Sequence, residues 1–331
     1  MNRTWMVICV VLLCVACTQT PATRTLTLAA YTVPKDVYQE VLIPGFKTFW
    51  YKQTGEKIAV AASFVGSGAQ SRAICNGFAA DVAALSLAVD ITRLQEHHLI
   101  THDWTRIHQG FVTNSLVVIC HRPGNPKHIT GWQDLADKAL EIVYANPRTS
   151  GGAMWNICAI YGAGLQQHSG DTLSAYSLLK AIQRKVKVMD KSARAALTTY
   201  DHGIGDVLLT YEHEAILRAK AKPFPYVIAD ATILIQNPLA VVDVYADQHG
   251  NRDLAEAFVQ YLFSQEAQQA FAEFGFRPVH PEVKQAFAAK FPTPAGQFTI
   301  ADLGGWARVR QTIFSDTGIW SRIMAELADE H

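Results

Sequence analysis

Four times along this chain, a run of strand-forming residues leads directly into a helix that opens on small or hydroxyl-bearing residues. These turns lie at residues 31–34, 65–70, 146–152 and 190–194. The alternation of strands and helices predicts α/β lobes with mostly parallel sheets. In such sheets ligands bind beyond the carboxyl ends of the strands, where the helices begin. We therefore expect the four turns to lie together and to present backbone N–H groups to an anion.

The third turn, Ser150-Gly151-Gly152, gives the strongest indication of such a site. Serine is typical of a helix N-cap, and the two glycines leave their N–H groups uncovered. Glycine in a helix costs about 1 kcal/mol relative to alanine. A compensating role is therefore expected, and close approach of a ligand or of another backbone would supply it.

Two extended passages without helix, 111–117 and 233–240, bracket the middle of the chain. A chain that leaves one lobe and later returns to it must cross twice. We therefore predict two lobes joined by two crossover strands, with a ligand cleft between them. Residues 25–112 and 237–331 would form lobe 1, and residues 113–236 would form lobe 2.

The N-terminus is typical of an exported protein. Arg3 precedes an apolar stretch over residues 5–15, which is shorter than a membrane span and ends in small residues. The Ala16-Cys17 ending resembles a bacterial lipobox. It predicts a signal peptide over 1–16, a lipid on Cys17 and a tether over 17–24. An ordinary signal peptide followed by a free Cys17 is the alternative, because Cys14 stands where Leu is usual.

Composition excludes several classes of function. The formal net charge is zero, which argues against nucleic acid or an anionic surface as a partner. Beyond the N-terminal segment, Cys75, Cys120 and Cys158 lack metal-ligand spacing, and at least one of them must be unpaired. The twelve histidines are scattered. We expect no metal and no cofactor, and we expect the cysteines to pack as small hydrophobic residues.

Taken together, the motifs resemble those of the periplasmic sulfate-binding proteins of ABC importers. The matching segments are residues 31–38, 66–70, 80–82, 122–127, 146–156, 203–208 and 303–306. Their order and spacing agree over nearly the whole chain after the signal segment. The resemblance implies a type II periplasmic-binding-protein fold and a monomer. It also implies sulfate as ligand and membrane permease subunits as partners.

The resemblance also implies an oxyanion held by neutral donors, without direct contact from a charged side chain. Carried over by motif, the donors are the N–H groups of Thr32, Ser67, Gly151, Gly152 and Ala193 and the hydroxyl of Ser150. The family's tryptophan donor falls at Tyr211, whose phenol is a shorter donor. Thr32 stands where the family commonly has Asp, but only the backbone is expected to be used there. Gly152 is retained, which favours sulfate over thiosulfate.

Sulfate suits such a site because it carries no proton at neutral pH, whereas phosphate carries one and needs an acceptor. For this to hold, Asp190 and Glu212 must point away from the donors. Arg194 is expected to pair with a carboxylate such as Asp81. Thr32 and Ser67 on lobe 1 would face Ser150, Ala193 and Tyr211 on lobe 2, so the ligand would favour closure of a hinge.

Three other functions stay open. The first is a receptor for thiosulfate, molybdate or another tetrahedral oxyanion. The second is a surface adhesin or sensor that keeps the fold without transport. The third is a lipid-anchored hydrolase with Ser150 as nucleophile, although the Gly-x-Ser-x-Gly elbow is absent from this segment. We expect a binding protein rather than an enzyme.

Overall fold

The computed structural model describes residues 23–330. The predicted signal peptide, Cys17 and most of the predicted tether lie outside these residues. Arg24, near the start of the described chain, is anchored to lobe 1 by ion pairs with Glu56 and Asp253, both at 2.7 Å.

Lobe 1 begins with three strands and the helices between them. The strands are β1 (Thr25–Ala30), β2 (Ala59–Phe64) and β3 (Val82–Ala84). The helices are α1 (Lys35–Val37), α2 (Ile43–Thr54), α3 (Ser67–Cys75) and α4 (Ala88–Glu96). A π-helical stretch, Tyr38–Leu42, joins α1 to α2, and α2 ends at Gly55, whose positive φ of 73° suits glycine.

A short 3₁₀ turn, His108–Gly110, leads into the crossover strand β4 (Phe111–His121) and then into lobe 2. The strands of lobe 2 are β5 (Ile142–Ala145), β6 (Val186–Asp190), β7 (Val207–Tyr211) and β8 (Tyr226–Val227). Its helices are α5 (Trp132–Asp137), α6 (Gly151–Gln167), α7 (Thr172–Gln183), α8 (Ala193–Asp201) and α9 (Glu212–Ala219).

The chain returns through the second crossover strand, β9 (Ala231–Val241). The elements that follow it in lobe 1 are α10 (Asp243–Gln248), α11 (Arg252–Leu262), α12 (Gln265–Glu273), β10 (Arg277–Pro278) and α13 (Pro281–Ala286). The C-terminal segment contains β11 (Gly296–Phe298), the 3₁₀ turn Ala301–Leu303, α14 (Gly305–Val309), the π-helical turn Arg310–Phe314 and α15 (Ile319–Asp329).

One continuous sheet runs through both lobes in the order β2-β1-β3-β9-β4-β7-β5-β6. Pairing is parallel within each lobe, between β1 and its neighbours β2 and β3, and between β5 and its neighbours β6 and β7. The long strands β4 and β9 pair with each other in antiparallel fashion at the centre. The fold class expected from the sequence, two α/β lobes joined by two crossover strands, is therefore confirmed.

The C-terminal segment packs mainly on lobe 2, and its helix α14 also contacts α4 of lobe 1. Trp306 and Trp320 belong to the same apolar cluster as Trp155 of α6, and the Trp155 and Trp306 rings meet edge to face at 4.7 Å. Glu326 on α15 pairs with Lys180 on α7 at 2.7 Å. The predicted division placed this segment in lobe 1 with residues 237–331. We keep the division as a proposal, with the segment after residue 295 moved to lobe 2.

Two further expectations concern cysteines and ligating side chains. Cys75, Cys120 and Cys158 form no disulfide with one another, and Cys120 and Cys158 are buried in apolar clusters. Within residues 23–330, no group of three or more His, Cys, Asp or Glu side chains is placed to hold a metal ion. In the same range no helix has both the length and the apolar character needed to cross a bilayer.

Candidate functional site

The four strand-to-helix turns all present helix N-termini to the junction between the lobes. The N–H groups of Ser67, Gly151, Gly152 and Ala193 belong to the first turns of α3, α6 and α8, where a helix supplies no internal partner. Together with the N–H of Thr32, they have no hydrogen-bond partner among residues 23–330. All but Thr32 are buried, and Thr32 is half-buried. Buried unpaired N–H groups are rare, so this grouping indicates a place for an acceptor.

Contacts between the turns show that they adjoin one another. A methyl group placed on Gly66 would lie 2.8 Å from the carbonyl oxygen of Thr149. Thr149 in turn donates from Oγ1 to the carbonyl of Lys191 at 3.0 Å. Arg194 reaches the carbonyl of Val33 at 3.3 Å, which links the fourth turn to the first. The structure therefore brings the four turns together, as expected from their strand ends.

The hydroxyl of Ser150 is not used to cap its own helix. Ser150 occupies the N-cap position of α6, but its side chain makes no capping hydrogen bond. Ser192, at the equivalent position of α8, accepts from the N–H of Ala195 at 3.2 Å in the ordinary way. Ser150 is 6% exposed. Its hydroxyl therefore remains available beside the N–H groups of Gly151 and Gly152.

The hydroxyl of Ser67 is committed within lobe 1. It donates to Asp90 Oδ2 at 2.6 Å and accepts from the N–H of Ser86 at 3.0 Å. Only the backbone N–H of Ser67 is left for a ligand, as the motif implies. Burial raises the pKa of Asp90, while the bonds from Ser67 and Arg93 oppose that rise.

Tyr211 ends β7 and packs directly on the first turn of α6. A methyl group placed on Gly152 would lie 2.7 Å from Cε2 of Tyr211, so the glycine makes room for the ring. Tyr211 is 2% exposed, and burial raises the pKa of its phenol above the ordinary value. The phenol is therefore protonated at neutral pH and can donate a hydrogen bond.

Ser86 was not among the residues expected from the sequence, yet it lies at the centre of the site. Its hydroxyl is 2.7 Å from the Tyr211 hydroxyl, and a methyl group placed on Gly151 would lie 2.9 Å from it. Ser86 follows β3 by two residues and precedes α4. This is a fifth strand end at the same edge of the sheet, and that placement is the signal that could have identified it.

The acidic residues beside the donors have different surroundings. Glu212 points to Arg277, which holds both of its carboxylate oxygens, at 2.6 and 2.8 Å. Asp190 has one buried carboxylate oxygen, Oδ2, without a hydrogen-bond partner in the described part of the chain. Glu212 is therefore held away from the donors by an ion pair, whereas Asp190 ends β6 at the start of the fourth turn, with one carboxylate oxygen unpaired among the described residues.

Arg194 pairs with other carboxylates than Asp81. It contacts Asp36 of lobe 1 at 3.2 Å and Glu214 of lobe 2 at 3.3 Å. Asp81 instead contacts His249 at 2.8 Å. Arg194 therefore has a carboxylate partner, as expected, but the prediction that this partner is Asp81 was wrong. The N-terminus of α8 faces α1 across the cleft, whereas Asp81 accepts from the N–H of Thr27 on β1.

Glu214 lies behind Arg194 and is 2% exposed. Burial raises the pKa of its carboxyl from 4.5 to about 7, with Arg194 opposing and Asp36 reinforcing the shift. The folded protein therefore keeps a proton that the unfolded chain releases between these two pH values. The contribution of this group to the free energy of unfolding is therefore largest below pH 4.5, and it falls as the pH rises to about 7.

We expect Glu214→Gln to remove this dependence. The free energy of unfolding of the variant, measured relative to the parent, should rise by about 3 kcal/mol from pH 4.5 to pH 7.5. The reason is that a shift of one pKa unit corresponds to about 1.4 kcal/mol. Urea unfolding at several pH values measures the difference. Glu282→Gln, at an exposed helix position, is the matched control. A flat difference for Glu214→Gln would contradict this account.

The chain is similar to known bacterial binding proteins. Residues 26–277 match the family described as bacterial extracellular solute-binding protein. The chain is 41% identical to a sulfate-binding protein of Synechococcus elongatus, covering 91% of this chain and 87% of that protein. It is 34% identical to a thiosulfate-binding protein of Pseudomonas aeruginosa, covering 91% and 92%. The solved structure of the sulfate-binding protein SubI from Mycobacterium tuberculosis is similar, with a TM-score of 0.81 and 35% identity over 88% of this chain and 100% of that one.

Proposed function

The chain belongs to the bacterial extracellular solute-binding proteins, within them to the sulfate- and thiosulfate-binding group, and we propose that it binds sulfate and delivers it to the permease of an ABC importer. The observation that carries the proposal is the group of unpaired N–H donors at the starts of α3, α6 and α8. The proposed ligands are Thr32, Ser67, Ser150, Gly151, Gly152, Ala193 and Tyr211.

The chemistry of these donors favours a fully ionised anion. Each helix N-terminus carries roughly half a positive charge, so three of them approach the two negative charges of sulfate. About seven charge-assisted hydrogen bonds of roughly 1.5–3 kcal/mol each would supply a gross 10–20 kcal/mol. Desolvation and ordering remove part of this sum. The remainder is compatible with micromolar or tighter binding, which needs about 8 kcal/mol.

Contacts across the cleft support hinge closure as the binding mechanism. Arg194 and Tyr211 of lobe 2 contact Asp36 and Ser86 of lobe 1. An anion that takes donors from both lobes stabilises the arrangement in which these contacts form. The closed form would then be the one that docks to the permease, and we propose that the protein acts as a monomer without catalytic function.

The decisive experiment is calorimetric titration of the purified full chain with sulfate, thiosulfate, molybdate and phosphate. We expect sulfate to bind with micromolar or tighter affinity and phosphate to bind at least 100-fold more weakly, because a donor-only pocket leaves the phosphate proton without an acceptor. Tighter binding of thiosulfate than of sulfate would instead favour a thiosulfate receptor, the alternative that the Pseudomonas relative supports. Equal binding of phosphate would show that an acceptor, with Asp190 the first candidate, serves the site.

We also propose that the protein is a periplasmic or cell-surface lipoprotein, exported and anchored by a lipid on Cys17. The small-residue ending before Cys17 and the extracellular character of the family support this proposal. Mass spectrometry of the mature chain would detect the lipid, and an N-terminus that lacks it would refute the anchor.

A further inference from the structure

The hydroxyls of Ser86 and Tyr211 form a hydrogen bond between the lobes. The two oxygens are 2.7 Å apart, and the residues are 1% and 2% exposed. Ser86 lies between β3 and α4 in lobe 1, and Tyr211 ends β7 in lobe 2. The bond therefore exists only when the lobes meet.

The backbone of Ser86 is fixed from three directions. Its N–H donates to Ser67 Oγ at 3.0 Å. Its carbonyl accepts from Trp155 Nε1 of lobe 2 at 3.2 Å and from Asn237 Nδ2 of the crossover strand β9 at 3.4 Å. The backbone of Ser86 is thus held by one ligand-binding residue, by lobe 2 and by a crossover strand.

The pair has one more proton than it uses. Two hydroxyls carry two protons, and one of these forms the bond between them. Neither oxygen has another hydrogen-bond partner among residues 23–330. The second proton therefore requires an acceptor, and a buried hydroxyl without one is costly.

The unused proton lies at the first turn of α6. A methyl group on Gly151 would be 2.9 Å from Ser86 Oγ, and one on Gly152 would be 3.2 Å from the Tyr211 hydroxyl. The N–H groups of the same two glycines have no hydrogen-bond partner in the described part of the chain. An anion bound there would supply the missing acceptor.

We propose that Ser86 and Tyr211 act as one coupled donor, in which one hydroxyl donates to the other and the second donates to the bound oxyanion. This inference rests on the proposed function and adds Ser86 to its ligand-binding residues. The pair also links ligand binding to closure, because the donor is assembled from both lobes.

A double-mutant cycle tests the coupling. Sulfate affinity is measured by calorimetry for the full chain and for Ser86→Ala, Tyr211→Phe and the double variant. Removing the hydroxyl that faces the anion should weaken sulfate binding about 10- to 100-fold. Removing the other hydroxyl should weaken it about 3- to 10-fold. The double variant should be no weaker than the weaker single variant, because either change breaks the pair.

The controls remove buried hydroxyls of the same kinds elsewhere. Ser71→Ala removes a hydroxyl that donates to the carbonyl of Asp90, and Tyr144→Phe removes one bonded to Gln183. Both should bind sulfate as the parent does. If Ser86→Ala does not fold, Ser86→Cys keeps the volume with a weaker donor and carries the same test.

The outcomes separate the inference from the function it rests on. If the parent protein does not bind sulfate, the proposed function fails. If it binds sulfate, the coupled donor is overturned by a single variant with parental affinity. It is equally overturned by a double variant more than about threefold weaker than the weaker single variant.

Discussion

Gly152→Asp is expected to weaken sulfate binding at least 1,000-fold while the protein stays folded. A side chain at this position starts 2.7 Å from the Tyr211 ring, so the ring must move. The new carboxylate would also stand beside the bound anion. Two unit charges 4 Å apart repel by about 4 kcal/mol at the effective dielectric of a protein surface, and sulfate carries two. Calorimetric titration measures the loss.

A matched control separates this local effect from the added charge. Gly131 is the N-cap residue of α5 in the same lobe, and a methyl group there meets no atom within 4 Å. Gly131→Asp should therefore bind sulfate as the parent does, since aspartate is favourable at an N-cap. Circular dichroism establishes that both variants are folded. Sulfate affinity retained in Gly152→Asp would remove the turn at Ser150 from the binding site.

The largest loss of stability is expected from Arg277→Met. Arg277 holds the fully buried carboxylate of Glu212 with two hydrogen bonds, and it also donates to the carbonyls of Phe291 and Pro292. Removing one partner of a buried ion pair costs about 3–5 kcal/mol, because the other charge stays buried without compensation. Urea unfolding at pH 7.5 measures the change in the free energy of unfolding.

The reason for this loss can be checked in two ways. Arg277→Met combined with Glu212→Gln should recover most of the stability, since the unpaired charge is gone. Burial already raises the pKa of Glu212, so the deficit of the single variant should shrink as the pH falls and the carboxyl takes up a proton. Arg184→Met, which breaks an exposed pair with Glu330, is the control and should change little. A loss below about 1 kcal/mol for Arg277→Met would contradict the role of the pair.

The sequence was most informative about strand ends. The two crossover strands β4 and β9 include the passages 111–117 and 233–240 that the sequence predicted to contain no helix. The passage expected to be extended over 233–240 is one strand, β9, and α10 begins shortly after it at Asp243. Periodicity does not mark such a boundary, because a short buried apolar run can be either a strand or a helix.

Residues that act through distant partners were harder to predict. Ser86 has no special residue beside it in the sequence, and its importance comes from Tyr211, which another lobe supplies. Arg194 was expected to find a carboxylate, but the choice of Asp36 over Asp81 depends on which helix faces α8 across the cleft. The end of the chain was placed in lobe 1 because no sequence pattern marks its return to α6 and α7. Such contacts are set by how the elements pack.

The return of the C-terminal segment also bears on how the protein can fold. Lobe 1 is built from segments that precede and follow lobe 2 in the sequence. The last helix, α15, ends at Asp329 and contacts α7 of lobe 2. A chain made from its N-terminus onward therefore cannot complete either lobe early, since the cluster around Trp155 lacks Trp306 and Trp320 until synthesis is nearly finished. Native contacts between residues so far apart in sequence form slowly. A late and slow folding step keeps the chain unfolded for longer, which is compatible with the export that the sequence predicts.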